Sequence, residues 1–297
     1  MSTPRARTAP ATPGPVPTSE ALVIRTFGRA EVLVGGAEAA WPSASARELL
    51  FYLLSRPEGA TKAEILEELW GLEDDAASAN RFRVTAHRLR ATLGWSGAMT
   101  EAYGRYHLAP EVFRASDVQQ VHAALHEAQT TEDAAGRLRA YRRVLAVYAG
   151  EYLPHVREDW AERAREEHRA AYVRACVEVS LVHCERSDCE GAVGALVRAL
   201  RADPFIGENY HQKLMTCLSV VEGRYAAIEH YRRFIRFLRE DLSDTPMPET
   251  VGLAERIKCG EQICRRPQGA ATLPAHLCAL TTGGDCPAPL AEVLNLN

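Results

Sequence analysis

The sequence predicts a mainly helical protein with two domains, the first of which also contains a small amount of β structure. The chain has 297 residues, about two domains at ~150 residues each. Short apolar runs separated by glycines occupy residues 22–40, and apolar residues at helical spacing fill most of the chain after residue 40. A repeat of 35 residues, from Ala192 to Ala227, is typical of stacked helix pairs.

The first domain is predicted over residues 20–111 and begins with a small antiparallel sheet. The apolar runs at residues 22–24 and 32–34 are separated by a glycine and followed by a glycine pair. A first helix is then indicated by Ser45 and Glu48, which have the spacing of a capping box ahead of an apolar stripe.

The second helix repeats this device, with Thr61 and Glu64 as the capping box. A third helix is predicted over residues 76–93, because its apolar residues recur at steps of four, three and four. The aromatic segment at residues 103–108, with residues 99–100 before it, suits a hairpin. A sheet, three helices and a terminal hairpin in this order predict a winged helix-turn-helix, which reads DNA with its third helix.

The polar side of the third helix carries the functional prediction. Glu and Asp are absent from Ala76 to Trp95, so positive charge is concentrated where phosphate contacts would be needed. Helical geometry places Arg81, Val84, Thr85 and Arg88 toward the major groove, and assigns Arg83, Arg90 and the wing residue Arg105 to backbone phosphates. The predicted DNA-binding residues are Asn80, Arg81, Arg83, Val84, Thr85, His87, Arg88, Arg90 and Arg105.

Two other interpretations of this region remain open. An arginine-rich helix face can simply be a solvated surface, although the order of the surrounding elements argues against that. The winged helix could instead bind a protein, which would make the chain an interaction adaptor. A protein-docking surface does not require an arginine cluster without acids, whereas DNA binding does, so the charge pattern favours DNA.

The second domain is predicted over residues 115–266 and is all-helical. In the repeat, Ala192, Leu196 and Leu200 correspond to Ala227, Tyr231 and Ile235. Paired helices with this period are tetratricopeptide-like and stack into a superhelix with a concave binding face. This domain is therefore predicted to bind a partner or effector.

The cysteines and histidines offer a weaker alternative. Cys176 and His183 are seven residues apart, and Cys184 and Cys189 follow, so a metal or redox sensor is conceivable. No Cys-x-x-Cys pair occurs, and buried structural cysteine is common. The sequence contains no recognisable catalytic or cofactor-binding motif. We expect no enzymatic activity, no cofactor and no metal.

The two ends of the chain lack helical periodicity. Residues 1–19 have the composition of a disordered leader, and residues 267–297 form a tail of uncertain order. No apolar stretch approaches the ~20 residues of a membrane span, and no secretory signal is present. The net charge of −4 argues against a protein that coats nucleic acid by bulk electrostatics. We expect a cytoplasmic protein with reduced thiols and no membrane partner.

Several short motifs occur in a fixed order along the chain. The first half contains Ala46-Arg47-Glu48-Leu49-Leu50, Leu66-x-x-x-Trp70, Asn80-x-Phe82-Arg83-Val84, Arg88-Leu89-Arg90 and Gly104-x-Tyr106. The second half contains Tyr148-x-Gly150-x-Tyr152-Leu153-Pro154, Asp159-Trp160 and Asp203-Pro204. Together these motifs resemble the SARP and AfsR-like transcriptional regulators, in which a winged helix-turn-helix of the OmpR type precedes a bacterial transcriptional activator domain.

The resemblance implies a bacterial regulator that binds promoter direct repeats, usually as a homodimer, and activates transcription by contacting RNA polymerase. It implies that Val84 and Arg88 read bases. The further DNA contacts that it implies are Asn80, His87, Arg90 and Arg105.

Overall fold

The computed structural model describes residues 22–264, so the predicted leader (1–19) and tail (267–297) lie outside the described residues. The described chain divides into two compact units. Unit 1 contains the residues up to His126 together with Ala146–His168, and unit 2 contains Glu127–Leu145 and the residues from Arg169 onward. Most described residues are helical, with two small sheets near the start, which confirms the predicted fold class.

Unit 1 begins with the predicted antiparallel sheet. Its strands are β1 (Leu22–Arg25), β2 (Glu31–Val34) and β3 (Ala37–Glu38), in the order β1-β2-β3. Leu22 pairs with Val34, and the register continues to Arg25 and Glu31. Two glycines with positive φ form the turn between β2 and β3. Glycine is suited to these positions because it adopts positive φ without a steric penalty.

Three helices follow the sheet. They are α1 (Ala44–Leu54), α2 (Lys62–Glu64, which continues as a π-helical turn over Ile65–Leu69) and α3 (Ala76–Thr92). The capping box of Thr61 and Glu64 is confirmed. The box predicted at Ser45 is wrong, because α1 starts at Ala44 and Ser45 is already inside the helix; Ser43 is its N-cap residue and makes no side-chain cap.

The wing is the second sheet of unit 1. Strands β5 (Met99–Ala102) and β6 (Arg105–Leu108) form the predicted hairpin, and β4 (Ala60–Thr61) pairs with β6 in the order β4-β6-β5. The two-residue strand β4 was not predicted, because it is too short to show an alternating pattern.

Unit 1 extends beyond residue 111, where the sequence placed the end of the first domain. The chain continues through α4 (Pro110–Arg114) into α5 (Asp117–Thr130). The backbone N–H of Ile24 donates to the carbonyl of Ala115 at 2.9 Å, and Asp117 accepts from the residues just after β1. Later in the chain, the ring of Trp160 lies 5.5 Å from that of Tyr52. These segments complete the core of unit 1.

Unit 2 consists of packed helices. Helix α6 (Ala134–Val147) and the part of α7 (Asp159–Glu185) from Arg169 onward precede α8 (Cys189–Ala202), α9 (Glu208–Val221), α10 (Arg224–Asp241) and α11 (Pro248–Lys258). Helices α8 and α10 start 35 residues apart, as the repeat predicts, and each packs against α9. Leu196, Leu214 and Ala227, one from each of these three helices, share one buried core. No helix of residues 22–264 has the length and apolar character needed to cross a bilayer.

Candidate nucleic-acid interface

Helix α3 is fixed in unit 1 by its cap and its buried face. Asp75 is the N-cap residue, and its carboxylate accepts from the backbone N–H of Ser78 at 2.7 Å while the Ser78 hydroxyl accepts from the N–H of Asp75 at 3.0 Å. The hydrogen bond from the Ser78 backbone lowers the pKa of Asp75. Phe82 and Leu89 are buried, and the ring of Phe82 lies 4.6 Å from that of Tyr106 in β6.

The opposite face of α3 is exposed and basic. At 100° per residue, Asn80, Val84 and His87 lie at its centre, and Arg83 and Arg88 flank them on either side. All five are exposed, and 40% of Val84 is accessible to solvent. Because no carboxylate occurs between Ala76 and Trp95, this face presents positive charge around a centre formed by Val84 and two uncharged polar groups.

Thr85 does not belong to this face. Only 3% of Thr85 is exposed, so the predicted orientation of its side chain toward the groove is wrong. Positions 78, 82, 85 and 89 follow one another at steps of four, three and four and therefore lie on one side of a helix. Thr85 is part of the packed side of α3, together with Ser78, Phe82 and Leu89.

Two of the arginines that were predicted to contact DNA phosphates form hydrogen bonds within unit 1. Arg90 donates from Nε and Nη2 to the carbonyl of Met99, at 3.0 and 2.9 Å, and so ties α3 to the start of β5. Arg105 donates to the carbonyl of Gly59 at 2.8 Å and forms an ion pair with Glu64 at 3.1 Å. The backbone hydrogen bond from Thr61, together with Arg105, lowers the pKa of Glu64. The sequence did not reveal these tertiary partners.

Arg81 stands at the edge of the basic face. Its guanidinium lies over the ring of Trp70, 5.0 Å from the ring centroid. Glu48 is also close: burial raises the pKa of Glu48, and the charge of Arg81 opposes that rise. A cation over an aromatic face is stabilised electrostatically, so Trp70 holds Arg81 at the edge of the basic face. The sequence drew attention to Trp70 only through the motif Leu66-x-x-x-Trp70.

The structure assigns no metal ligands to the cysteine and histidine region. The Nδ1 atom of His183 lies 2.7 Å from a carboxylate oxygen of Asp188, and Cys176 is fully buried. Burial raises the pKa of the Cys176 thiol to about 11, so this group is a poor source of thiolate. Among residues 22–264, no three His, Cys, Asp or Glu side chains form a cluster suited to a metal ion.

Comparison with known proteins agrees with this architecture. Residues 112–258 match the family model of the bacterial transcriptional activator domain. The chain is 29% identical over 265 residues to the regulatory protein AfsR of Streptomyces griseus, which covers 86% of this chain and 26% of that protein. It is 27% identical over 256 residues to the AfsR protein of Streptomyces coelicolor, covering 84% of this chain and 25% of that protein. The chain thus spans about a quarter of these relatives and is similar to SARP-like regulators.

A solved structure has a similar fold. The structure of Mycobacterium tuberculosis EmbR in complex with a low affinity phosphopeptide superposes with a TM-score of 0.61 and 20% sequence identity. The match covers 81% of this chain and 66% of EmbR. At this identity the likeness shows the fold, in which small N-terminal sheets are followed by a helical domain.

Proposed function

We propose that this protein is a sequence-specific DNA-binding regulator of transcription and that α3 enters the major groove. One observation carries the proposal: the exposed face of α3 holds three arginines and no carboxylate. Positive charge on one helix face provides phosphate attraction, and the N-terminal part of such a helix contacts base edges.

The arrangement of that face suggests separate roles for its residues. Arg88 is suited to a bidentate contact with guanine, and Val84 to the methyl group of thymine. Asn80 and His87 share the centre of the face and complete the set of base contacts. Arg81 and Arg83 lie toward the two edges, where phosphates would be. Arg90 and Arg105 support the DNA contacts by holding the wing in place.

The second part of the proposal concerns the helical domain. The match of residues 112–258 to a transcriptional activator domain supports a role in activation, with contact to RNA polymerase through or beside this domain. The family resemblance of the sequence implies binding to direct repeats at promoters, which a homodimer would occupy. Two protomers on one face of the duplex would place their α3 helices a whole number of helical turns apart.

An interaction adaptor is the second candidate, and one observation favours it. Unit 2 exposes large apolar side chains: Phe205 is 63% exposed, Tyr225 78% and Met247 55%. Large exposed apolar side chains mark a protein-binding surface where they form a contiguous patch. The adaptor hypothesis leaves the basic face of α3 without a role, and we therefore rank it second.

The test is an in vitro selection of random duplex DNA by the purified protein at two salt concentrations. We expect a repeated motif to be enriched by the wild-type protein. Arg88→Gln should lose roughly 10- to 100-fold in affinity for that motif, because a bidentate contact with a base is worth about 1–3 kcal/mol. The matched control is Arg239→Gln, which removes an exposed arginine of α10 and should leave affinity unchanged.

Each outcome separates the two candidates. A converged motif that Arg88→Gln no longer recognises supports sequence-specific regulation. A pool that never converges, with equally weak binding by wild type and both variants, would refute the DNA proposal and make the adaptor the better account.

A further inference from the structure

The tip of the wing has an unusual residue in a strained conformation. Strands β5 and β6 are joined by Tyr103 and Gly104, both with positive φ, at 52° and 75°. Two-residue turns of this kind favour Asn-Gly or Gly-Gly, because a side chain in the left-handed region costs roughly 1 kcal/mol. Tyr103 is nevertheless fully exposed, so its ring gains no packing within the protein that would offset this cost.

The hairpin is anchored along α3, and its tip lies toward the reading end of that helix. At the base of the hairpin, the carbonyl of Met99 accepts from Arg90, near the C-terminal end of α3. Further along, Tyr106 packs on Phe82, near the N-terminal end. The hairpin therefore runs from the C-terminal toward the N-terminal part of α3, and Tyr103 lies beyond Phe82. A duplex docked on the N-terminal half of α3 would be adjacent to Tyr103.

The wing offers little charge for a phosphate contact. The guanidinium of Arg105 is bound by Gly59 and Glu64. The exposed part of the hairpin, residues 100–104, contains one ionisable side chain besides Tyr103, the acidic Glu101. A wing with these groups cannot attract the backbone by neutralising phosphates. Tyr103 is the large exposed side chain at the tip of this hairpin.

We infer that Tyr103 is the wing's contact with DNA and that its ring packs on the deoxyribose of the DNA backbone beside the groove that α3 enters. This inference rests on the proposed DNA-binding function. An aromatic ring contributes large contact area at low entropic cost, and its hydroxyl can reach a phosphate oxygen. Because sugars are the same at every position, Tyr103 adds affinity without adding sequence preference.

The test compares Tyr103→Asn and Tyr103→Phe with wild type by fluorescence anisotropy. The probes are the duplex enriched by in vitro selection and a random-sequence duplex of the same length, each at several salt concentrations. Asparagine suits the turn better than tyrosine, so Tyr103→Asn should keep or raise the thermal stability while it removes the ring. Tyr225→Asn is the matched control, since Tyr225 is an exposed tyrosine of α10.

We expect Tyr103→Asn to weaken binding to both duplexes by about tenfold, with Tyr103→Phe close to wild type. The slope of log affinity against log salt should not change, because tyrosine neutralises no phosphate, whereas Arg83→Gln, at a residue assigned to a phosphate contact, should reduce the slope by about one. Tyr225→Asn should bind as wild type does.

Three results would overturn the inference. If Tyr103→Asn binds both duplexes as tightly as wild type while Arg88→Gln is impaired, Tyr103 is not a contact, although the proposed function stands. If Arg105→Gln lowers the salt slope by about one, Arg105 supplies the wing contact instead. If the wild-type protein binds neither duplex, the proposed function and this inference fail together.

Discussion

Replacing the buried Asp117 by alanine should destabilise unit 1. The carboxylate of Asp117 accepts three hydrogen bonds from the chain just after β1. Its donors are the backbone N–H of Thr26 at 2.6 Å, the hydroxyl of Thr26 at 2.7 Å and the backbone N–H of Phe27 at 3.1 Å. Thr26 and Phe27 are both almost wholly buried, so water cannot easily replace the lost acceptor.

The magnitude depends on these three donors. A buried polar group left without a partner costs about 1–3 kcal/mol, which gives roughly 3–9 kcal/mol for three groups. Part of this is offset, because burial raises the pKa of Asp117, so removing the carboxylate also removes a desolvation penalty. We therefore expect Asp117→Ala to lower the free energy of unfolding by roughly 3–5 kcal/mol.

Tryptophan fluorescence can measure this loss in unit 1 alone. The chain has four tryptophans, at positions 41, 70, 95 and 160, and all of them lie in unit 1. Urea titrations at pH 7 should show the fluorescence transition of Asp117→Ala at a lower midpoint. Asp74→Ala is the control, because Asp74 forms a surface ion pair with Lys62 that is worth at most about 1 kcal/mol. A loss below about 1 kcal/mol in Asp117→Ala would refute the reasoning.

Two further predictions concern His168 and Thr85. Burial, and then the neighbouring His122, lower the pKa of His168 to about 4. The folded protein therefore keeps this imidazole neutral, whereas in the unfolded chain it is protonated below about pH 6.5. The contribution of His168 to the free energy of unfolding is fully present above that pH and should fall by about 2 kcal/mol between pH 7.5 and pH 5. His168→Phe should abolish this part of the loss in urea titrations and the exposed-site variant His155→Gln should retain it; an unchanged pH profile in His168→Phe would contradict the assignment. Thr85→Val should bind the selected duplex within twofold of wild type in the anisotropy assay, because Thr85 is buried; a tenfold loss would restore Thr85 as a DNA contact.

Local sequence patterns predicted the elements of unit 1 well. The capping box of Thr61 and Glu64 and the periodic apolar residues of α3 depend on neighbours within one or two helical turns. Such short-range signals can be recognised in a single sequence. The exposed residues Asn80, Val84 and Arg88 were also placed correctly on the polar side of the helix, since 3.6-residue periodicity determines their direction.

Features that depend on distant residues were not predictable in this way. Asp117 lies 91 residues from Thr26 in the chain, and nothing in the local pattern connects them. The burial of Thr85 was not predicted because this residue lies at the border between the buried and the exposed side of α3. At that border, packing against neighbouring elements decides whether a side chain is buried. The same holds for Arg90 and Arg105: their type indicated DNA, while their carbonyl partners come from the wing and the segment before β4.

Unit 1 is built from two separate segments of the chain, so its core can be completed only after the second segment has been synthesised. Tyr152, Leu153 and Trp160 belong to the core of unit 1, although they follow the wing by more than forty residues. At about 5–20 residues per second, a ribosome needs roughly 3–11 s to add the 57 residues from position 112 to position 168. During that interval the nascent winged helix has an open core, so a fragment that ends at residue 111 would remain in this incomplete state permanently.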